Sequence, residues 1–191
     1  MPNKQQTNAQ KLSNIMKKYV SLLVLGGFVL SACISEKNPD ERGYIVSVGQ
    51  QVPNFSIQYL DGRQELLSQH AGKVIMLQFT ASWCSVCQTI IPHIENEIWQ
   101  RHKNHPDFVL VAVDLKEEED TVRQFIEDIK ATYPFSLDPD GSRFALFCDP
   151  EAGVTRNIIV DKTGKIVMLT RLYDEAEFAE MKFLIDKLLN E

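Results

Sequence analysis

The chain has 191 residues, 44% of them hydrophobic, and a formal net charge of −6. Its first 32 residues hold four lysines and no acid, so the other 159 carry 16 basic against 26 acidic residues, a charge of −10. Such a surface argues against nucleic acid or anionic lipid as a partner, and 159 residues are ample for one core and short for two.

Lys4, Lys11, Lys17 and Lys18 precede an apolar run over 19–30. A bilayer-spanning helix needs about 20 apolar residues, so this shorter run reads as the core of a signal peptide. It ends in Leu30-Ser31-Ala32-Cys33, which resembles the bacterial lipobox, whose cysteine becomes the lipidated first residue of the mature chain. The expectation is a lipoprotein signal peptide over 1–32, a lipid on Cys33 that attaches the protein to a membrane, a tether over 33–47 and one domain over 48–191. An ordinary cleaved signal with a chance cysteine is the alternative. Ile34 follows Cys33, and in the enteric sorting pattern a non-Asp residue there favours the outer membrane; inner against outer membrane stays open.

Residues 55–59 alternate apolar and polar, Asp61-Gly62 is a turn signal, and 65–67 can return as the second strand of a hairpin. The continuous apolar runs 74–79 and 108–113 read as strands buried on both faces. Residues 88–103 carry helical spacing, with Pro92 predicting a kink, and 117–130 form a second helix with Val122, Phe125, Ile126 and Ile129 on one side. A short extended piece over 135–137 and a short helix over 141–147 come next. Strands 157–160 and 166–169 flank the turn 161–164, and 176–189 closes the chain as a helix with Phe178, Met181, Phe183, Leu184 and Leu188 apolar. The order predicts one α/β domain, with parallel βαβ pairs first and an antiparallel hairpin last.

Cys84-Ser85-Val86-Cys87 falls where the first buried strand gives way to a helix. Unpaired N–H groups at a helix N-terminus favour negative charge, so the Cys84 thiol is expected to ionise readily. Cys87 lies three residues on, on the same helix face and within reach of a disulfide. The pair can therefore pass two electrons by thiol–disulfide exchange. A half zinc site is the competing reading, but no second Cys or His pair has ligand spacing, and His70, His102 and His105 show none. No metal is expected. Glu117-Glu118-Glu119-Asp120 reads as a solvated helix start, residues 138–141 as a turn, and His93 as a surface residue. Cys148 reads as a small buried residue or, alternatively, as a third thiol near the pair.

With Trp83 before the pair, this order of elements resembles the thioredoxin fold: a central mixed β-sheet flanked by helices, with an N-terminal β-hairpin. It is closer still to the TlpA/ResA-like membrane-tethered thiol–disulfide oxidoreductases, through Gly49, Pro53, Phe55, Asp61-Gly62, Gly72-Lys73, the segment 79–87, Pro92, Gly153-Val154 and 157–167. The resemblance covers about 48–191. It implies a periplasmic enzyme with no cofactor beyond a redox-active Cys84–Cys87 disulfide. Cys84 would be the attacking thiolate and Cys87 the resolving thiol, with Trp83, Val154 and Thr155 as the substrate-binding rim. Its partners would be protein disulfide substrates, with a membrane thiol reductase as electron donor.

Three departures follow from the same comparison. Thr155 stands where the family has a cis-proline, and a cis bond before a non-proline residue costs about 2.5–4 kcal/mol, so the Val154–Thr155 bond is expected trans. Without that proline a metal could reach the pair more readily. Gln78 and Ile90 stand where relatives carry a buried acid, which leaves the proton on Cys87 to water or to the leaving thiolate. Ser85-Val86 offers no cation to stabilise the thiolate, which predicts a reductant rather than a strong oxidant. Two other functions compete. One is a peroxiredoxin-like thiol peroxidase, although Ala81 stands where that family has its threonine. The other is a non-enzymatic lipoprotein that delivers metal or haem.

Overall fold

Val74–Thr80 (β3) is buried at every position, as its apolar run requires, and it sits at the centre of a five-stranded sheet ordered Phe135–Asp138, Phe108–Leu115, Val74–Thr80, Arg156–Val160, Ile166–Arg171. The computed structural model describes residues 42–191; the signal peptide expected over 1–32, Cys33 and the tether up to residue 41 lie outside the described residues. β4 (Phe108–Leu115) and β5 (Phe135–Asp138) run parallel to β3, whereas β6 (Arg156–Val160) and β7 (Ile166–Arg171) run antiparallel. β1 (Ser56–Gln58) and β2 (Gln64–Leu66) form a separate antiparallel hairpin. Its turn needs Gly62 at φ +85°, a conformation that side chains with a Cβ rarely adopt.

Alternation along the strands divides the core in two. Val74 and Met76 of β3, Leu110 and Ala112 of β4 and Ile159 of β6 point to one face. That face is covered by α1 (Ser85–Ile94), α2 (Glu119–Ile129) and α3 (Glu175–Leu189). Ile75, Leu77 and Phe79 of β3, with Val111 and Val113 of β4, point the other way, against the hairpin residues Phe55, Ile57 and Tyr59 and the 3-10 turn Phe144–Leu146. Phe79 packs against Phe144 and Phe147 there, at 5.4 Å between ring centres in each case.

The tether expected over 33–47 is shorter at its C-terminal end. Tyr44 and Val46 are buried in the second core. Tyr44 pairs with Cys148 as an isolated β-bridge, and its hydroxyl donates to the Thr170 carbonyl at 2.5 Å. Three further expectations are refined. The break in the first helix falls after Pro92, as a π-helical turn over Glu95–Trp99, before a last α-turn Gln100–His102. The short helix near 144 is a single 3-10 turn. Phe183, expected on the apolar side of α3, is 72% exposed.

Candidate functional site: a disulfide at a helix N-terminus

Cys84 is the N-cap of α1. Its backbone is extended, at φ −91° and ψ 105°, and its sulfur accepts the Cys87 N–H at 3.1 Å. The helix thus begins on the sulfur itself, which satisfies one of the orphan N–H groups of the first turn. Cys84 and Cys87 form a disulfide with Cα atoms 5.2 Å apart. Cys87 is fully buried and Cys84 keeps 7% of its surface, so Cys84 is the sulfur a second molecule meets first. Trp83 beside it is 62% exposed. A residue that large facing solvent is not there for packing, and it leaves an apolar edge next to the reactive sulfur.

Val154 packs against the core cluster that holds both cysteines. The Val154–Thr155 bond is cis, which corrects the expectation of a trans bond. Local contacts hold this loop. The Thr155 hydroxyl donates to the Phe79 carbonyl at 3.2 Å, and Arg156, also fully buried, donates from Nε to the Gly153 carbonyl and from Nη2 to the Ala152 carbonyl. The Arg156 guanidinium lies over the Tyr44 ring at 4.8 Å. A second correction concerns Thr155, which is completely buried. Its hydroxyl is committed to the backbone of β3, so the surface at this point comes instead from Leu172, 44% exposed, whose N–H donates to the Thr155 carbonyl.

Cys148 does not join the pair. It is buried in the core on the opposite face of the sheet, among Tyr44, Phe144 and Phe147, which removes the reading of a third thiol beside Cys84. His93 is partly buried, stacks on Tyr173 at 5.1 Å and contacts Glu97 at 2.9 Å. Among the described residues, no group of three or more His, Cys, Asp or Glu is placed to hold a metal ion, and no helix is long and apolar enough to cross a membrane.

The chain matches the AhpC/TSA family over residues 48–169. The chain belongs to that family. It is a ResA-like thiol–disulfide oxidoreductase of the thioredoxin superfamily. The thiol-disulfide oxidoreductase ResA of Bacillus cereus is 24% identical over 157 residues, covering 82% of this chain and 87% of that protein. A solution structure from Bacteroides thetaiotaomicron, provisionally described as a protein disulfide isomerase, is 48% identical over 78% of this chain and 94% of its own, with a TM-score of 0.76. A crystal structure from Chlorobium tepidum, provisionally described as the thiol:disulfide interchange protein DsbE, is 25% identical over 75% of this chain and 99% of its own, with a TM-score of 0.66.

Sequence reasoning missed two charged residues around this oxidoreductase site. Asp114 on β4 is fully buried and is the register partner of Thr80 on β3. Alternation from Leu110 and Ala112 puts its side chain on the face that carries the cysteines. As a carboxylate, neither of its oxygens has a hydrogen-bond partner. Burial first, then the charge of Glu117, push its pKa up to about 8. Glu117, expected to belong to a solvated helix start, instead grips the loop before Cys84: it accepts the Ser82 N–H and the Ser82 hydroxyl, each at 2.5 Å. A charged residue at the C-terminal end of a buried parallel strand was the available signal, since such ends face the crevice where ligands bind.

Proposed function

We propose that the protein is an envelope thiol–disulfide oxidoreductase, held at the membrane by a lipid on Cys33, that reduces disulfides of other proteins in the periplasm. The observation that carries the reading is the Cys84–Cys87 disulfide at the start of α1, with Cys84 keeping 7% of its surface, Cys87 fully buried and Trp83 exposed beside them. In the reduced enzyme the Cys84 thiolate attacks a partner disulfide. A Cys84–partner bond forms, and the partner's second sulfur leaves as a thiolate and takes up a proton. Cys87 loses its proton and attacks Cys84, which restores the enzyme disulfide and releases the partner as a dithiol. The partner is oxidant and the enzyme reductant in each cycle, so two electrons must then come from a donor, here a membrane thiol reductase.

The rim for the partner is Trp83 and Val154, with Leu172 adjoining. Thr155 contributes through its backbone, because its side chain is buried. No cation stands between the cysteines, which supports a reducing rather than a strongly oxidising pair.

Insulin reduction by dithiothreitol tests the reading. The wild type is expected to accelerate it, Cys84→Ser to lose the acceleration, and Cys87→Ala to accumulate mixed disulfides from the envelope through Cys84. Equal rates with and without the wild-type protein, or rapid peroxide consumption in place of exchange, would overturn it. A reduction potential near about −120 mV, that of a strong oxidant, would overturn the reducing direction alone.

A further inference from the structure

Glu117 holds both the backbone and the side chain of Ser82, two residues before Cys84, and three residues before Glu117 the carboxyl of Asp114 is fully buried with neither oxygen hydrogen-bonded. We propose that Asp114 and Glu117 form a carboxyl–carboxylate pair that positions the loop 81–83, Asp114 donating its proton to Glu117 while Glu117 holds Ser82. This rests on the thiol–disulfide reading of Cys84 and assigns the pair a positioning role in it.

The argument is one of hydrogen-bond capacity. An ionised carboxylate accepts only. Glu117 spends one oxygen on the Ser82 N–H and the other on its hydroxyl. An ionised Asp114 beside it would be buried, unpaired and next to a like charge, a combination that a low-dielectric interior strongly disfavours. A neutral Asp114 has an O–H to donate, and Glu117 is the acceptor within reach. The proton therefore belongs on the buried partner and the charge on the half-buried one.

Little else around Asp114 could take this part. From β3 its register partner is Thr80, and from β5 it is Leu137. From α1 the titratable side chains on this face are Cys84 and Cys87. α2 presents Val122 and Phe125, while its Glu119 pairs with Arg123 outside and Asp120 is exposed. On β5, Asp138 is occupied by Arg143 and by the Phe144 N–H.

When Asp114 ionises near pH 8, repulsion acts on Glu117 and loosens its hold on Ser82, and with it the neighbouring Trp83. Trp83 reports this without any enzymatic turnover. The chain has two tryptophans, so Trp99→Phe leaves Trp83 as the sole indole. In the oxidised protein Cys84 and Cys87 do not titrate. Trp83 emission of that protein is expected to change with a midpoint near pH 8. Asp114→Asn should abolish the transition, because an amide donates without ionising. Glu117→Gln should move it to lower pH by removing the like charge.

In the reduced protein, Asp114→Ala is expected to slow alkylation of Cys84 at pH 7 by about tenfold, the size of one lost charge-assisted hydrogen bond, and Asp114→Asn to recover most of that loss. A flat wild-type titration, or the same midpoint in Asp114→Asn, would overturn the pair even if exchange activity is present. Should exchange be absent while the transition behaves as described, the acid pair stands and the oxidoreductase reading falls.

Discussion

The two faces of the central sheet are built from alternate residues of the same strands, yet they solve different problems. Behind β3 lies an aromatic core, with Phe55, Phe79, Phe144 and Phe147 meeting edge to face or tilted. Its buried charges are largely met: Asp138 accepts the Phe144 N–H and pairs with Arg143, and Arg156 has two carbonyl acceptors and the Tyr44 ring, with only its Nη1 left without a hydrogen-bond partner. In front of β3 the packing is apolar near Val74 and Met76 and turns polar toward the disulfide. Gln78, Thr80, Asp114 and Asn157 are all fully buried there, and each has at least one atom without a hydrogen-bond partner. Unsatisfied groups in a low-dielectric interior are costly. Their concentration under Cys84 and Cys87 marks the face where stability is given up for chemistry, and the rear face supplies the rigidity that makes this tolerable.

The largest difference between the faces should appear on truncation at the rear. Phe79→Ala removes a fully buried ring that packs on two others. It is expected to cost about 3–5 kcal/mol and to lower Tm by roughly 10 °C in a domain of this size. Below its new Tm, the variant should keep the alkylation rate of Cys84, because Thr155 bonds the backbone of Phe79 and not its ring. Loss of that reactivity at temperatures where circular dichroism shows a folded protein would mean that the two faces are not separable.

A smaller, pH-dependent difference belongs to the front. Burial above all pushes the Asp114 carboxyl up to about 8, from the 3.8 of an unburied aspartate. Between those values the folded protein holds a proton that the unfolded chain has released. The contribution of Asp114 to stability is therefore fully present below about pH 4 and is lost as pH rises through 8. Asp114→Asn has no such loss. Its denaturation midpoint relative to wild type should rise from pH 5 to pH 8.5, as measured by urea unfolding at both values. A difference that stays constant across that range would show that Asp114 ionises normally in the folded state.

Much of this was legible from the chain because it rests on local rules. The continuous apolar runs marked β3 and β4, Asp61-Gly62 marked the first hairpin, and the Cys84–Cys87 spacing placed the disulfide at the start of α1. What escaped depends on residues far away in sequence. Tyr44 read as tether because its segment is short and polar, but it is anchored by a hydrogen bond to Thr170, 126 residues on. The isomer of the Val154–Thr155 bond goes with contacts to Phe79, 76 residues earlier. Asp114 follows directly on the apolar run of β4 and carried no local signal of burial; it is its place between Thr80 of β3 and Leu137 of β5 that goes with its full burial. Glu117 sat in a run of four acids, and nothing local distinguished the one that reaches Ser82.

The smallest expected effect is the sharpest probe of the front face. Thr80 is fully buried, opposite Asp114, and its hydroxyl has no hydrogen-bond partner among the described residues. Valine has nearly the same shape and no polar atom, and it favours a strand at least as well. Because the hydroxyl was desolvated without a partner, Thr80→Val should stabilise the protein, by up to about 1 kcal/mol. It should also raise the pKa of Asp114 slightly by making its surroundings less polar, moving the Trp83 emission midpoint upward. Destabilisation by more than about 1 kcal/mol would show that the hydroxyl is bonded in solution, through ordered water or to Asp114 itself. The polar groups under the disulfide would then be a satisfied network, and the contrast between the two faces would be one of composition rather than of unmet hydrogen bonds.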